Sequence, residues 1–500
     1  MIEGPLLRPV FRPVALVRPG HRSLEVATAA GVTSVSAKRA VVGVLAELAE
    51  RKAVCYVEAG LTTLKHTTGA TSWTCHTWRD RGTRMVHEPT GATFTSLRGA
   101  LEDDRSLEQV WDDLTRVLSW LREYGVPPGS ISSMAWNLWR ASLSRRIAFG
   151  FDPDVSRAAF YGGRQEVHNN LDIHGRPRVL QNMVAADIRA AYPTSMASRP
   201  YGISLRSVSP ESRLDPATAG LAEASVDVPQ DMPFAPLPVR LTPDVICFQT
   251  GRIRGTWAWC ELAAAQDLGC TVTVHRSWAP RAEVDLFGPW WQIAQAGRTL
   301  GTPGSEELAK AVCNSLWGQF AMNGEHRGTL QWIDDKGERP FAVDEAPRDM
   351  PHRWATHIAA ETTARVRTRL LTEGLYGDRY YPVHADTDGM IVRASRPVPT
   401  PSGDVPGHWR IKAAMRKVDI RAPQLYRWTC GKGCGVTHRK WHYVAAGVTP
   451  GSAEAVFDNE GHPGTRISFR GVFDQVIPST HAQDRGTVAH LLAQAKAMAS

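Results

Sequence analysis

The stretch that most constrains the fold is His384-Ala385-Asp386-Thr387-Asp388-Gly389. Tyr380 to Val383 precede it and Met390-Ile391-Val392 follow, so the pattern reads as a strand, a tight turn carrying Asp-Thr-Asp, and a second strand. Residues i and i+2 of an extended chain point the same way, so both carboxylates can face one cleft. Two like charges that close raise each other's pKa unless a cation neutralises them. A hard divalent ion with oxygen ligands is the usual solution. Asp-Thr-Asp-Gly is also ordinary turn chemistry, and taken alone it reads first as a polar hairpin turn.

Two further stretches favour the chemical reading. In Val184 to Pro193 a short apolar strand ends in Asp187, and a turn and a helix with Tyr192 follow. The backbone N–H groups after Asp187 are expected at the mouth of that turn, ready for phosphate. Glu306 to Met322 is helical in pattern, and Lys310, Asn314 and Trp317 fall at i, i+4 and i+7, on one face. Such a face can hold a triphosphate and stack a base, although a lysine snorkelling from an amphipathic helix looks the same in isolation. Upstream, Tyr161-Gly162-Gly163-Arg164 sets an aromatic and a basic residue around a glycine pair, which allows close approach to a phosphate backbone.

The remainder bounds the setting. The 500 residues suggest two to four domains, and 43% hydrophobic with 22% charged residues describes an ordinary globular chain. A formal charge of +8 permits a polyanionic partner without demonstrating one. The eight cysteines lack the dense spacing of a secreted disulfide framework, and neither a signal peptide nor a membrane-spanning run is evident. An intracellular, cytoplasmic protein with reduced thiols is expected. Residues 1–20, rich in Pro and Arg, read as an arm. Residues 21–80 read as a short helix, a Gly turn, a longer helix with Lys38 and Arg39 on its polar side, and a hairpin: a winged helix-turn-helix-like DNA-binding module. Residues 81–157 read as mostly helical. Cys430, Cys434, His438 and His442 recur at intervals of four and could bind zinc, yet the tight Cys-x-x-Cys knuckle is missing and the intervening glycines equally suggest a hairpin tip.

Taken in order, Asp187-x-x-x-x-Tyr192-Pro193, Lys310-x-x-x-Asn314-Ser315-Leu316-Trp317-Gly318 and Asp386-Thr387-Asp388 resemble motifs A, B and C of family B DNA polymerases. Tyr161-Gly162-Gly163 resembles the YxGG element of the protein-primed, phage-type branch, and the likeness covers roughly residues 145–475. It implies an α+β, right-hand polymerase: palm over 158–285 and 348–430, fingers over 286–322, a hairpin insertion over 323–347 and a thumb-like region over 431–500. It implies a two-metal nucleotidyl transfer with two Mg²⁺ ions, Mn²⁺ being a substitute. Asp187 and Asp388 would be the main ligands and Asp386 a support. Lys310 and Arg298 would neutralise the incoming triphosphate, Tyr192 would exclude a 2′-hydroxyl, and Asn314 and Trp317 would shape the base-pair pocket. Tyr161 to Arg164 and Tyr426 would touch the DNA backbone. The partners implied are primer–template DNA, dNTPs and, in that branch, a terminal-protein primer; no membrane is implied.

The chain departs from the family pattern in several places. Trp317 replaces a Tyr, Gly389 a frequent Ser, and Gln424-Leu-Tyr426 stands where Lys-x-Tyr is expected. A proofreading exonuclease begins with Asp-x-Glu on a strand, and no such triplet occurs in residues 1–160. A polymerase without 3′–5′ proofreading, encoded by a virus or mobile element, is therefore expected. The alternative is a non-catalytic DNA-binding initiator with a polymerase-like body, and against it stands the retention of all three carboxylates.

Overall fold

The computed structural model describes residues 12–19, 23–36, 38–57, 73–77, 83–87, 90, 92–97, 105–144, 147, 149, 153–168, 179–242, 245–321, 328–331, 355–376, 382–395, 405–422, 425–430 and 441–445. Contacts divide the chain into two units, Met1–Phe149 with Asp285–Ala355, and Gly150–Val284 with Thr356–Ser500.

The first unit is built on a mixed eight-stranded sheet. At its centre Val14–Pro19 pairs antiparallel with Leu24–Thr28 and parallel with Val54–Val57. The helix Lys38–Glu50 makes the crossover between the parallel strands and buries Val41, Leu45 and Leu48 against them. A parallel pair requires such a connection. This arrangement corrects three sequence expectations. Residues 14–19 are no arm, because Ala15, Leu16 and Val17 are fully buried between neighbouring strands. The short helix expected at Ser23 to Ala30 is the strand Leu24–Thr28, joined to Gly31–Val35 by a turn in which Gly31 has φ +116. A winged helix-turn-helix needs two helices before its hairpin, and among the described residues of 21–80 there is one, Lys38–Glu50. Lys38 and Arg39 lie in the first turn of the crossover helix, and their side chains fall outside the described residues. The mostly helical reading of 81–157 also fails at Thr83–His87 and Ala92–Ser96, which are sheet strands.

Two amphipathic helices of this unit, Leu107–Glu123 and Ile131–Ser142, are each started by a serine. Ser106 forms a full capping box with Gln109. The segment from 285 onward packs with them. Trp139 donates from its indole to the Leu286 carbonyl, and its ring meets Phe287 and Phe320. Of the hairpin expected over 323–347, only Gly328–Gln331 is described. It pairs with Trp73–Thr77 and so extends the first unit's own sheet.

The second unit carries a seven-stranded sheet: β1 (Arg164–Val167), β2 (Val179–Ile188), β3 (His384–Thr387), β4 (Gly389–Arg393), β5 (Trp409–Ala422), β6 (Leu425–Cys430) and β7 (His442–Ala445). The spatial order is β7-β6-β5-β2-β4-β3-β1. Alternation along β2 sends Ala186 and Ile188 to one face, where they meet Met390, Val392, Trp409 and the Val366, Leu370 and Leu371 side chains of a long helical segment. That segment is the helix Thr356–Arg369, continued as a π-turn to Leu375. Met183 and Ala185 point the other way, into a cluster made of sheet side chains that includes Ile391, Met415, Val418, Ile420 and Tyr426. A second sheet of four strands, with Leu221–Val228 central, stands beside the helix Trp259–Asp267. No helix among the described residues is long and apolar enough to cross a membrane.

Candidate active site

Asp187 is the penultimate residue of β2, and alternation puts it on the same face as Met183 and Ala185, the face whose cluster contains no helix residue. The β3–β4 hairpin lies alongside, with Gly389 opposite Asp187 in the register. Without a side chain here the strands approach closely. A Cβ at position 389 would stand 2.9 Å from the Ala186 carbonyl oxygen and 3.2 Å from the Asp187 Cβ. The strands are locked together where the Ile188 N–H donates to the Asp388 carbonyl at 2.9 Å. The Arg189 N–H is likewise used, by the His408 carbonyl at 2.9 Å. These two amides are therefore not available for phosphate, contrary to the sequence expectation.

Within the hairpin, Thr387 adopts φ +63, a left-handed conformation that a β-branched residue rarely takes. Its hydroxyl donates to Asp386 Oδ1 at 3.0 Å, and the Asp388 N–H donates to the Asp386 carbonyl at 2.7 Å. The tight turn brings the two acids to one end of the sheet beside Asp187. The electrostatics report the crowding: burial, then Asp187, then Asp386 push the Asp388 carboxyl up to about 7. On β6, Tyr426 is raised above the ordinary phenol range by burial and by Asp386 and Asp187, which puts it against the same cluster.

Two cations missed by the sequence reading complete the picture. Arg410 on β5 is the register partner of Asp187 and donates to it twice, from Nε to Oδ1 at 2.8 Å and from Nη2 to Oδ2 at 3.4 Å. Lys412 Nζ lies 3.9 Å from Asp187 Oδ2. The β2–β5 register shifts between Ile411 and Ala413, so Lys412 is the extra residue of a β-bulge. Bulges re-aim side chains in this way. The signal lay in the spacing of Arg410 and Lys412 on a strand, but only the pairing of β5 with β2 says which acid they meet.

The Tyr161-Gly162-Gly163-Arg164 segment packs against this site, though not as expected. Arg164 is fully buried, paired with Glu166, donating to the Ala235 carbonyl and stacked over Phe248 at 4.0 Å. It cannot reach a DNA backbone, because its charge is already matched inside the unit. Tyr161 is buried as well, and Gly162, at φ +78, offers its carbonyl to Arg367. Gly163 is where the segment meets the site: a Cβ there would sit 3.0 Å from Thr387 Oγ1 and 3.2 Å from the Tyr192 hydroxyl. Tyr192 follows Ala190, itself left-handed at φ +53, in the short helix Ala191–Ala197. Tyr426, with 9% exposure, is a core residue beside the acids rather than an open DNA contact.

Lys310, Asn314, Trp317 and Arg298 belong to the first unit. Lys310 and Asn314 lie in the helix Pro303–Asn314, and Trp317 in the short helix that follows, Leu316–Phe320. All three are half-buried, while Leu308, Val312, Leu316 and Phe320 are inside; the helix breaks at Ser315, so Trp317 does not continue the helix of Lys310 and Asn314. Lys310 pairs with Glu307 at 3.0 Å. Arg298 lies in a 3₁₀ turn with its guanidinium 5.7 Å from the Trp291 ring centre. The helix start is held from outside by Asp113, whose Oδ1 accepts the Ser305 N–H at 3.1 Å and the Thr302 hydroxyl. Of the four zinc candidates, Cys430 and His442 are brought together, Sγ to Nε2 2.7 Å, while Cys434 and His438 lie outside the described residues.

Residues 129–349 match the family described as DNA polymerase type B, organellar and viral. Among solved structures, the fold matches Phi29 DNA polymerase complexed with primer-template DNA, with a TM-score of 0.60 and 11% identity over 90% of this chain and 94% of that one. Its ternary complex with incoming nucleotides matches equally, at TM-score 0.60 and 11% identity over 90% and 95%. Phi29 DNA polymerase with single-stranded DNA matches at TM-score 0.58 and 11% identity over 94% and 100%. Over residues 129–349 the chain is thus similar to family B DNA polymerases. No curated protein matches the sequence. The chain has the right-hand polymerase fold, and the three stretches that carried the resemblance include the acids gathered at one end of the seven-stranded sheet.

Proposed function

We propose that this chain is a family B DNA polymerase that adds deoxynucleotides to a 3′-hydroxyl, with Asp187 and Asp388 as its principal metal ligands and Asp386 in support. The observation that carries the reading is the meeting of three carboxylates at one sheet end, with Asp388 pushed up to about 7 by burial and its neighbours. Such an all-oxygen donor set, with Asp388 crowded by the other two acids, suits hard divalent ions such as Mg²⁺ or Mn²⁺. When bound, they would supply Lewis acidity toward the attacking hydroxyl and the triphosphate. The chain's own contribution is positional. The Thr387 turn and the Gly389 contact hold the acids in register, while Tyr192, against Gly163, is set to reject a 2′-hydroxyl. Lys310 and Arg298 would carry the charge of the triphosphate, and Asn314 and Trp317 would shape the pocket for the base pair.

The partners proposed are primer–template DNA and dNTPs, with a terminal-protein primer as in the phage-type branch. The same reading has no 3′–5′ proofreading: residues 1–160 lack Asp-x-Glu, and the central strand Val14–Pro19 carries no acid. A role in virus or mobile-element replication, in the cytoplasm, belongs to the same reading. The test is extension of a labelled primer–template by the parent and by Asp388→Asn. Incorporation by the parent, lost by at least about a thousandfold in the variant with duplex binding intact, is the expected result. Equal incorporation by both proteins overturns the assignment.

A further inference from the structure

The acids of this site are not compensated evenly. Asp187 is engaged by both available cations, Arg410 in a two-point contact and Lys412 at 3.9 Å, whereas Lys412 is only a minor influence on Asp388. Arg410 is not a distant surface residue that happens to fold over. It is the direct register partner of Asp187 on the adjoining strand, and the bulge at Lys412 turns a second cation toward the same carboxylate. The Arg410 side chain is 35% exposed and that of Asp187 15%, so the guanidinium is partly open to solvent while the acid is mostly covered. A planar guanidinium on a carboxylate occupies the two oxygens that a metal would use.

Building on the metal-site reading above, we propose that Arg410, assisted by Lys412, is an internal counter-ion of Asp187 that competes with divalent metal for this carboxylate. In the metal-free protein it neutralises Asp187 and keeps the β2–β5 edge paired. When metal enters, the guanidinium gives up Asp187 and turns toward solvent, where it becomes available to an anion such as a phosphate. Arg410 is thus a positioning residue that sets the metal concentration at which the site fills.

The experiment is Mn²⁺ binding to the full chain alone, without DNA or nucleotide, followed by loss of the free Mn²⁺ EPR signal. Arg410→Gln is expected to tighten binding about fivefold, the scale of a partly exposed ion pair, and Arg410→Lys to fall between it and the parent. Lys412→Gln is expected to tighten binding about twofold. Unchanged or weaker Mn²⁺ binding in Arg410→Gln overturns the proposal. Should that variant not fold by circular dichroism, Lys412→Gln, whose ammonium is mostly exposed, decides in the same way. Asp388→Asn separates this inference from the reading on which it rests. If that variant binds Mn²⁺ like the parent, the metal site itself is misassigned. If it loses binding while Arg410→Gln is unaltered, only the counter-ion role fails.

Discussion

Thr387 and Gly389 show how single residues set the geometry of this site. Thr387 holds a left-handed conformation between two acids, and Gly389 lets that hairpin touch the strand bearing Asp187. Gly389→Ala must push β4 off β2 or shift Ala186, so it is expected to cost about 2 kcal/mol and to lower incorporation more than tenfold. Urea unfolding and primer extension on one preparation measure both. Asp388 gives a pH signature. Its folded value of about 7 stands above the ordinary 3.8, so the native metal-free protein holds a proton that the unfolded chain has released. Stability contributed by the protonated form is complete below the lower value and is lost as pH rises through the higher one. In EDTA, the stability of the parent is therefore expected to fall by about 2 kcal/mol between pH 5 and 8, water contact reducing the full effect. Asp388→Asn should flatten that slope, as read from thermal melts at both pH values. The acids themselves were legible in the sequence because carboxylates one residue apart in a turn are conspicuous. Arg164 misled for the opposite reason: a basic residue after two glycines looks exposed, and only the fold reveals Glu166 and Phe248 around it.

At the scale of elements, two helices are held by groups remote in sequence. Asp113, in the helix Leu107–Glu123, caps the helix Pro303–Asn314 and pairs with Arg105. Asp113→Ala leaves the Arg105 charge and the cap donors unmatched, and about 3 kcal/mol of lost stability is expected by chemical unfolding. Asp113→Asn, which keeps an acceptor, should lose less. In the second unit, His357 begins the helix Thr356–Arg369, buried, with its Nε2 2.8 Å from the Gly202 carbonyl oxygen. Burial holds its pKa down to about 3, against an ordinary 6.5. The neutral ring's contribution is whole above the higher value and is lost as pH falls toward the lower, about 2 kcal/mol by pH 5. His357→Gln is expected to remove that acid-side slope in urea titrations at pH 7 and 5. Neither partner could be chosen from the sequence, where Asp113 reads as an outward acid on an amphipathic helix.

For the whole molecule, the first unit returns to the chain at 285–355, so the segment bearing Lys310 shares a folding unit with residues 1–149 rather than with the acids. The N-terminal sheet is thus part of the same unit as the helix Pro303–Asn314. If proofreading is absent, a primer with a mismatched 3′ terminus is expected to keep its full length through a long incubation with Mg²⁺ and no dNTPs. Shortening of that primer by the parent, but not by a preparation heated to inactivity, would reverse that reading. Comparing reactions with primer and with template alone, each with and without a candidate terminal protein, identifies the priming mode.

The chemistry that the chain can offer is written in short local patterns. Asp187, Asp386, Asp388, Tyr192 and Lys310 were conspicuous because their types and spacings belong to single strands, turns and helix faces, where local geometry rules. Tertiary structure alone decided what compensates them. Strand pairing set Arg410 and Lys412 on Asp187, and packing turned Arg164 and Tyr426 inward. Long-range register also made Leu24–Thr28 a strand, although its local pattern reads as helix. Charge balance and sheet register depend on partners far apart in the chain, and no local pattern encodes which partner arrives.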